Sequence, residues 1–523
     1  MGFSFLQGAN FFPFALRKNF YNKRMSDEAS PSPTASPHKG NGIDFTSGPL
    51  FKKMFLFVLP LLLLSIAQMV FYSLDQLIVS NFGEGDTSFA AVSASNSIVN
   101  LLIGSFLGIS VGANIVLAQA LGKKDAESAR KAVQSSLLLS IFIGTAVAVI
   151  GIPLSRYFLI WMATPEVLLD KATVYLQCCF GGMPFLMIFN FGAACFRATG
   201  EGKRPLIVLL IAGALNVSLN LLFVLGFKMQ TNGQDVLAVG LTTLISQAVQ
   251  ALLIVIFLHR SKNPYSHLEY KGIALYKKET QLLLKHGLMA GLQFFIFSIS
   301  NLIIQRSVNG YSDDKVSRLV AMNGNAAAMQ LEGYIAMVLK TFGVACTIMT
   351  AQNRGARNKK NLIKILWMTL LTSTLISITM SGLAVLLYKP LVSLFLPQKA
   401  FASSGDYDTS LEVAHGRLLV IALFYFVDAW MDNISGYCRG LGHPYAPSVV
   451  TFFATTVYRL TFIFAVWSIP GMHTLPWLWS TWPISWGVAV LLYATFMPRF
   501  IKKAFHDIDK EEKEKASSLP SPQ

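Results

Sequence analysis

The chain has 523 residues, of which 53% are hydrophobic and only 13% are charged, and its formal net charge is +16. A soluble domain carries roughly a quarter charged residues, so this composition excludes a string of ordinary soluble domains. The basic excess does not call for nucleic acid as a partner, because the cytoplasmic loops of membrane proteins accumulate Lys and Arg. The five cysteines lie in or beside apolar runs without metal-ligand spacing to His, and we interpret them as core residues.

The first fifty residues differ from everything that follows. The stretch from Ser26 to Gly42 is rich in Ser, Pro, Ala and acidic residues, a composition that cannot bury a hydrophobic core. The first twenty residues are aromatic and basic, but they lack the apolar region and the cleavage site of a signal peptide. Met25 is a second possible start of translation. We predict a disordered cytoplasmic tail over residues 1–50.

Long apolar segments begin at Met54 and recur to the end of the chain. A bilayer core needs roughly 20 apolar residues per helix, and a helix pairs every backbone group within its own segment. We therefore predict an all-α integral membrane protein with twelve transmembrane helices. The segments lie at approximately 54–79, 89–120, 132–155, 173–196, 205–226, 236–258, 281–305, 319–350, 362–388, 416–438, 447–467 and 482–498.

The charges between these segments predict their orientation. With both termini in the cytoplasm, the inner loops and helix flanks hold 24 Lys and Arg residues. The outer loops then hold nine, Arg417 among them, together with ten acidic residues. This distribution obeys the positive-inside rule, so we predict cytoplasmic termini, and we expect the plasma membrane as the location. The predicted units are an N-lobe at 51–258, a linker at 259–280, a C-lobe at 281–503 and a cytoplasmic C-terminal tail at 504–523.

Two motifs occur in both halves of the chain, in the same order. AQALGKK at 118–124 follows the second helix, and AQNRGAR at 351–357 follows the eighth, at an offset of 233 residues. RATGEGKRP at 197–205 follows the fourth helix, and RGLGHPYAP at 439–447 follows the tenth, at an offset of 242. Because six helices per half is an even number, both halves face the same way. We predict two six-helix bundles related by a pseudo-two-fold axis along the membrane normal.

These motifs, together with Pro60 and Asp75 in the first helix, make the chain resemble the multidrug and toxic compound extrusion (MATE) transporters. The resemblance covers residues 50–500 and is strongest to the DinF-like branch of the family. It implies a MATE-like fold with a cavity between the two bundles. It also implies export of organic cations or drug-like amphiphiles in exchange for H⁺ or Na⁺, without any other cofactor. We expect a monomer whose partners are this small-molecule substrate and the lipid bilayer, and no nucleic acid.

The first helix contains one acidic residue, and a charge inside a membrane marks a candidate functional site. Asp75 lies near the outer end of this helix, and Gln68 and Tyr72 share its face. Pro60 removes a backbone hydrogen bond lower down and allows the helix to bend. The resemblance assigns the ion-coupling role to Asp75. The alternative is an Asp at the membrane interface in contact with water.

The fifth and sixth helices add polar groups to this half. Asn216 and Asn220 lie four residues apart on one face, and the sixth helix carries Thr242 and Thr243. We predict that Asp75, Asn216, Asn220 and Thr243 couple the ion, either as oxygen ligands of Na⁺ or by orienting a protonatable Asp. The alternative is hydrogen bonding between helices. The resemblance implies an acid where this chain has Asn220, so a proton relayed by Asp75 alone is the simpler account.

The second half has acidic residues at other positions. Glu332 lies in the eighth helix, and three polar residues share a face of the tenth. We predict that these groups attract a cationic substrate. The predicted substrate-binding residues are Gln68, Tyr72, Gln293, Glu332, Tyr425, Asp428 and Asp432.

Two alternatives bear on this second half. Lys340 and Arg459, the two bases inside the segments, could neutralise one or more of the acids. A lipid-linked oligosaccharide flippase of related fold is the alternative function, but it needs a basic cavity, whereas intramembrane acids outnumber bases four to two. The chain contains no HExxH, GxSxG or GxxxxGK[ST] motif, so we expect neither an enzyme nor an ATP-driven pump, and no catalytic or metal site.

Overall fold

The computed structural model describes residues 42–82, 86–162, 164–227, 234–311, 318–396, 404–469 and 471–517. Helices account for most of these residues. They are α1 (Leu50–Phe82), α2 (Asp86–Lys123), α3 (Ala126–Trp161), α4 (Glu166–Ala198), α5 (Lys203–Leu221), α6 (Asp235–His259), α7 (Lys277–Gly310), α8 (Arg318–Gly355), α9 (Lys359–Leu386), α10 (Tyr388–Ser393), α11 (Ser404–Ile421), α12 (Tyr425–Gly440), α13 (Tyr445–Thr451), α14 (Tyr458–Thr461) and α15 (Leu475–Ser517).

Twelve helical segments in the described ranges are long and apolar enough to cross a membrane, which confirms the predicted number. Helices α1 to α9 and α15 supply ten of them. The tenth segment in chain order consists of α11, a 3₁₀ turn at Ala422–Phe424 and α12. The eleventh consists of α13 and α14 with π-helical turns at Phe452–Val457 and Phe462–Val466.

The start of the tenth segment differs from the prediction. Helix α11 begins at Ser404, so Arg417 lies inside a helix and not in the predicted outer loop. Asp406, Asp408 and Glu412 lower the hydropathy of the first turns, which is why the apolar pattern begins only at residue 416. Arg417 itself is 2% exposed. A helix packed inside a bundle need not be apolar on every face.

Helices α1–α6 form one six-span bundle, the N-lobe, and α7–α15 form the other, the C-lobe. The lobes meet chiefly where α2 packs against α7 and α8. Small residues make this approach possible: a Cβ added to Gly108 of α2 would lie 2.6 Å from the Cα atom of Gly291 of α7. One turn on, a Cβ on Gly112 would lie 2.3 Å from the carbonyl oxygen of Leu283. Glycine therefore sets the distance between the lobes.

The two copies of the AQ motif touch each other at one end of the bundle. A Cβ on Gly122 would lie 2.0 Å from the carbonyl oxygen of Gln352, and a Cβ on Gly355 would lie 2.2 Å from that of Gln119. The offset of 233 residues relates these two contacts, so each is the pseudo-two-fold copy of the other. We call this end of the molecule the termini end, because the first described residues and the end of α15 also lie there.

Both predicted tails contain ordered residues at the termini end. Residues 42–49 lie within the predicted disordered tail, but Phe45 is completely buried and its ring lies 5.3 Å from that of Phe57. Helix α15 continues through residues 504–517, where Glu511 accepts a bond of 2.9 Å from Arg354 and Asp509 pairs with Lys359. Residues 1–41 and 518–523 lie outside the described residues.

The chain between the lobes is fixed to the N-lobe. Helix α6 ends at His259 and α7 begins at Lys277, within the predicted linker 259–280. Arg130 of α3 pairs with Glu269 at 2.6 Å, and Gln134 donates to the carbonyl oxygen of Glu269 at 2.8 Å. These contacts attach the linker to α3.

Candidate functional site

A cavity of about 1000 Å³ lies between the lobes. Its lining comes mainly from α7, α8, α11, α12 and α15, with a smaller share from α2 and the end of α3. Most of the wall is apolar or aromatic, as in sites that bind drug-sized molecules. The aromatic lining residues include Phe158, Trp161, Phe294, Phe295, Phe297, Tyr425, Trp482 and Trp486. The charged ones are Glu332, Lys340, Arg417, Asp428, Asp432 and Arg439.

Glu332 is neutralised by Arg417. The guanidinium Nε donates to one carboxylate oxygen at 3.0 Å and Nη2 donates to the other at 2.7 Å. The remaining Nη1 donates to Asn325 at 2.8 Å, and the guanidinium lies 4.9 Å from the centre of the Trp482 ring. Both side chains are at most 5% exposed. Such a two-bond pair holds a buried charge in one geometry, so Glu332 is not available to a substrate cation while the pair is intact.

The two bases predicted to neutralise the acids, Lys340 and Arg459, are not the partners of Glu332. Lys340 is exposed to the cavity. Arg459 is fully buried and donates instead to Asn301 at 2.7 Å and to Ser485 at 2.9 Å. The signal that could have found Arg417 is its spacing: it lies eight residues before Tyr425, so one continuous helix would place both on the same side.

Asp428 and Asp432 line the same cavity one helical turn apart on α12. In the part of the chain that the structure describes, neither carboxylate has a Lys, Arg or His nitrogen within 4.0 Å. Asp428 is 6% exposed, and Asp432 is partly exposed. Two like charges at this spacing disfavour each other, and a bound cation would relieve both.

Gln293 and Tyr425 complete the predicted C-lobe set. The side-chain oxygen of Gln293 accepts from Arg439 at 2.6 Å, and its amide donates to Ser435 at 3.2 Å. The ring of Tyr425 lies 5.4 Å from that of Trp486. The structure thus brings Gln293, Glu332, Tyr425, Asp428 and Asp432 together around one cavity.

The charge balance of the cavity differs from the predicted surplus of acid. Its described lining residues include three acids and three bases, and one acid and one base form the closed pair described above. Arg439 is bound to Gln293. The groups left facing the cavity without a partner within salt-bridge distance are therefore Lys340, Asp428 and Asp432, as far as the described residues show.

The polar residues of the N-lobe form a separate cluster. Asn220 is completely buried, accepts a short bond from the Thr242 hydroxyl and donates to Asn216 at 3.3 Å. Thr243 donates to the carbonyl oxygen of Val239 at 2.8 Å, so its hydroxyl is satisfied within α6. Thr242, rather than the predicted Thr243, contacts Asn220, because adjacent residues of a helix point in different directions.

Helix α1 carries the remaining predicted residues. Pro60 lies within the helix, and a Cβ on Gly202 would lie 3.1 Å from its Cβ. Gln68 is exposed and is not among the described residues that line the cavity. The side chains of Tyr72 and Asp75 lie outside the described residues, so their roles stay predictions.

The fold and cavity define a membrane protein of two six-span bundles with a substrate-sized space between them. A model of the MatE family matches residues 60–222 and 290–465, more than half of the chain. The chain therefore belongs to the MatE family. Its assignment to the DinF-like branch stays a prediction.

Relatives and solved structures agree with this membership. The chain is 26% identical over 450 residues to "Probable multidrug resistance protein YoeA" of Bacillus subtilis, covering 85% of this chain and 92% of that protein. It is 30% identical over 320 residues to "Probable multidrug resistance protein YpnP" of the same organism, covering 61% and 68%. A MOP superfamily transporter from Pyrococcus furiosus has the same fold, with a TM-score of 0.78 at 19% identity over 89% of this chain and 98% of that one.

Proposed function

We propose that this protein is a secondary active antiporter that exports cationic or amphiphilic drug-like molecules in exchange for H⁺ or Na⁺. The observation that carries the proposal is the cavity of about 1000 Å³ with aromatic walls and the two carboxylates of Asp428 and Asp432. Membership in the MatE family and the multidrug-resistance names of the relatives support it. A lipid-linked oligosaccharide flippase is not favoured, because its phosphates would meet these two carboxylates.

The C-lobe is the proposed substrate site. Asp428 and Asp432 attract the positive group of a substrate, while the rings of Trp482, Trp486 and Tyr425 contact its apolar part. A cation beside aromatic faces and carboxylates gains from both kinds of group. The apolar walls make few directional demands, which suits a transporter with several substrates.

The N-lobe is the proposed ion site. A Cβ on Gly213 of α5 would lie 2.2 Å from the ring of Phe71 of α1, so the two helices touch there. Phe71 lies one turn before Asp75, and Gly213 lies almost one turn before Asn216. Both helices run away from the termini end, which supports the proposal that Asp75 and the two asparagines belong to one site. A bound H⁺ or Na⁺ would neutralise its carboxylate and favour a different arrangement of α1.

The distribution of Lys and Arg supports cytoplasmic termini. The lobes touch at the termini end through Gly122 and Gly355, so the described conformation is closed there. With that end in the cytoplasm, the cavity would load and release by separation of the lobes alternately on either side. We further propose that the protein acts in the plasma membrane as a monomer, with the lobe boundaries predicted from the sequence.

Transport by purified protein in liposomes tests the division between lobes. Under an imposed pH gradient, Asp75→Asn should abolish driven efflux of a cationic dye, because the coupling carboxylate is lost. Asp428→Asn with Asp432→Asn should instead raise the KM for the dye on the order of tenfold, because the charge that attracts it is gone. Replacing the pH gradient by a Na⁺ gradient identifies the coupling ion.

Asp408→Asn is the matched control, since this Asp is exposed near the start of α11. Its transport should equal that of the unaltered protein. Undiminished driven efflux by folded Asp75→Asn protein would remove Asp75 from the coupling role, and an unchanged KM in the double variant would remove the C-lobe carboxylates from substrate binding.

A further inference from the structure

Residues 43–47, which we call the strap, lie between the two lobes at the termini end. On the N-lobe side, the buried ring of Phe45 packs edge-on against Phe57 of α1. The backbone of Ile43 lies against Gly200, where an added Cβ would be 2.5 Å from the Ile43 carbonyl oxygen. Gly200 has a φ of +78°, so this turn needs glycine both for its conformation and for the space. The strap thus packs against α1 and against the turn at Gly200 of the N-lobe.

The C-lobe holds the other side of the strap by hydrogen bonds to its backbone. The amide of Phe45 donates to Gln352 at 3.1 Å, and Asn353 donates to the Phe45 carbonyl oxygen at 3.0 Å. Asn361 of α9 donates to the carbonyl oxygen of Thr46 at 3.1 Å. The first two bonds are buried, where leaving a donor or acceptor without a partner costs most.

The strap is folded by its own contacts and attached to α1. Asp44 accepts from the amide and the hydroxyl of Thr46, at 2.8 and 2.6 Å, and from the hydroxyl of Ser47 at 3.1 Å. Lys53 of α1 donates to the carbonyl oxygens of Asp44 and Ser47, both at 2.6 Å. The strap therefore belongs to the N-lobe, and its bonds to the C-lobe are the ones that separate if the lobes part.

Two further bonds cross between the lobes at this end and obey the internal repeat. Gln352 of the C-lobe donates to the carbonyl oxygen of Ala198 at 2.8 Å, and Gln119 of the N-lobe donates to that of Gly440 at 3.3 Å. The two donors, Gln119 and Gln352, are 233 residues apart, and the two acceptors, Ala198 and Gly440, are 242 residues apart. These are the offsets of the two repeated motifs. The strap binds the oxygen of Gln352 and so reinforces one member of this pair.

We propose that residues 43–47 hold the two lobes together at the termini end and thereby favour the conformation in which the cavity is closed on that side. The inference rests on the proposed transport cycle in one respect: the lobes must separate here for the cavity to reach this side. Weakening the strap should then raise the population that is open at the termini end, without any change in the cavity itself.

Labelling of a cysteine in the cavity tests this proposal. The reporter is Ala336→Cys, a lining residue of α8, in a protein whose half-buried Cys178 and Cys179 are replaced by Ser. A membrane-impermeant maleimide is added to vesicles from the side on which a C-terminal tag is accessible to protease. Phe45→Ala and Asn353→Ala should each increase the labelling rate from that side on the order of tenfold.

A matched variant distinguishes loss of the strap contacts from a general loosening of the protein. Phe51→Ala makes the same chemical change at a position that is 57% exposed, and it should label like the parent. An equal rise in the Phe51→Ala protein would overturn the proposal.

Asn353→Ala and Asn361→Ala retain the Phe45 side chain, so they remain informative if Phe45→Ala does not fold. Unchanged labelling of these two variants, in protein that elutes as a single species, would overturn the role of the strap. The reaction requires neither substrate nor ion gradient. A failure here is therefore distinguishable from a failure of the proposed antiport, which is measured by dye efflux.

Discussion

The two lobes have the same helical scaffold but different polar interiors. In the N-lobe, Asn216, Asn220 and Thr242 form a buried cluster of neutral amides and a hydroxyl. In the C-lobe, a carboxylate–guanidinium pair and two further carboxylates lie around the cavity. At the offset of 242 residues, Asp432 of the C-lobe corresponds to Asn190, which donates to the carbonyl oxygen of Leu186 within its own helix. A position that faces the cavity in one lobe is satisfied locally in the other.

What the halves have kept in common is the contact between them. Gly122 lies against the backbone of Gln352 and Gly355 against that of Gln119, and the side chains of Gln119 and Gln352 donate to the opposite lobe. A symmetric contact constrains both halves at once, because a change on one side loses the matching partner on the other. An interior site has no such constraint. The interface therefore preserves the repeat, whereas each interior is free to specialise.

The largest expected effect comes from breaking the buried ion pair of the C-lobe. Arg417→Ala leaves Glu332 buried without its partner, which should destabilise the protein by about 3–5 kcal/mol. Replacing both residues, Glu332→Leu with Arg417→Met, should recover most of that loss because no charge then remains. Thermal unfolding in detergent, followed by size-exclusion chromatography, measures both.

The surface pair Arg156–Asp170 is the matched control for this prediction. These side chains are 54% and 82% exposed, so Arg156→Ala should cost no more than about 1 kcal/mol. Equal losses for Arg156→Ala and Arg417→Ala would contradict the buried role of Arg417.

Arg417 also shows where sequence patterns stop being informative. The number of helices and the internal repeat follow from apolar length and from motif spacing, which depend on local sequence alone. Hydropathy does not reveal the start of α11, because Asp406, Asp408 and Glu412 make its first turns polar. The choice between Thr242 and Thr243 depends on how α6 is rotated against α5, and tertiary packing decides that rotation. Five predicted C-lobe residues do share one cavity, since residues on the facing sides of neighbouring helices converge there.

A smaller effect is expected at the contact that the halves share. Gly122→Ala and Gly355→Ala each place a Cβ within about 2 Å of a backbone oxygen of the other lobe, which should cost about 1–3 kcal/mol. Because the two contacts are copies, the losses should be alike. Gly382→Ala in α9 is the control, since a Cβ there meets nothing within 4 Å. A loss in only one of the two variants, read from the melting temperature, would argue against a symmetric contact.

Substitutions in the neutral cluster of the N-lobe should have a still smaller effect on stability, and the neighbours Thr242 and Thr243 should differ. Thr242→Ala removes the hydroxyl that Asn220 accepts from, which should cost about 1 kcal/mol. Thr243→Val keeps the size of the side chain and removes only a bond to Val239 within the same helix, so its cost should be near zero. Melting temperatures compared in Na⁺ and in K⁺ would also show whether either residue affects ion binding. A larger loss of stability for Thr243→Val than for Thr242→Ala would mean that Thr243, and not Thr242, stabilises the cluster.

The smallest expected effect concerns two titratable residues at the termini end, Glu201 and His443. They lie 242 residues apart and so occupy equivalent positions in the two lobes. Burial raises the pKa of the Glu201 carboxyl above its usual 4.5, although Arg204 opposes the shift. Burial and then the charge of Lys503 lower the pKa of His443 below its usual 6.5. Burial therefore favours the neutral form at both positions, in an acid on one lobe and a base on the other.

The pH dependence of stability should consequently run in opposite directions. The contribution of Glu201 is fully present below pH 4.5 and is lost as pH rises through its raised pKa. The contribution of His443 is present above pH 6.5 and is lost as pH falls through its lowered pKa. The melting temperature of Glu201→Gln relative to the parent should therefore rise as the pH is increased from about 4 to neutral, whereas that of His443→Gln should rise as the pH is lowered below 6.5. Differences that stay constant across this range would show that neither group changes its charge on unfolding in the way its surroundings indicate.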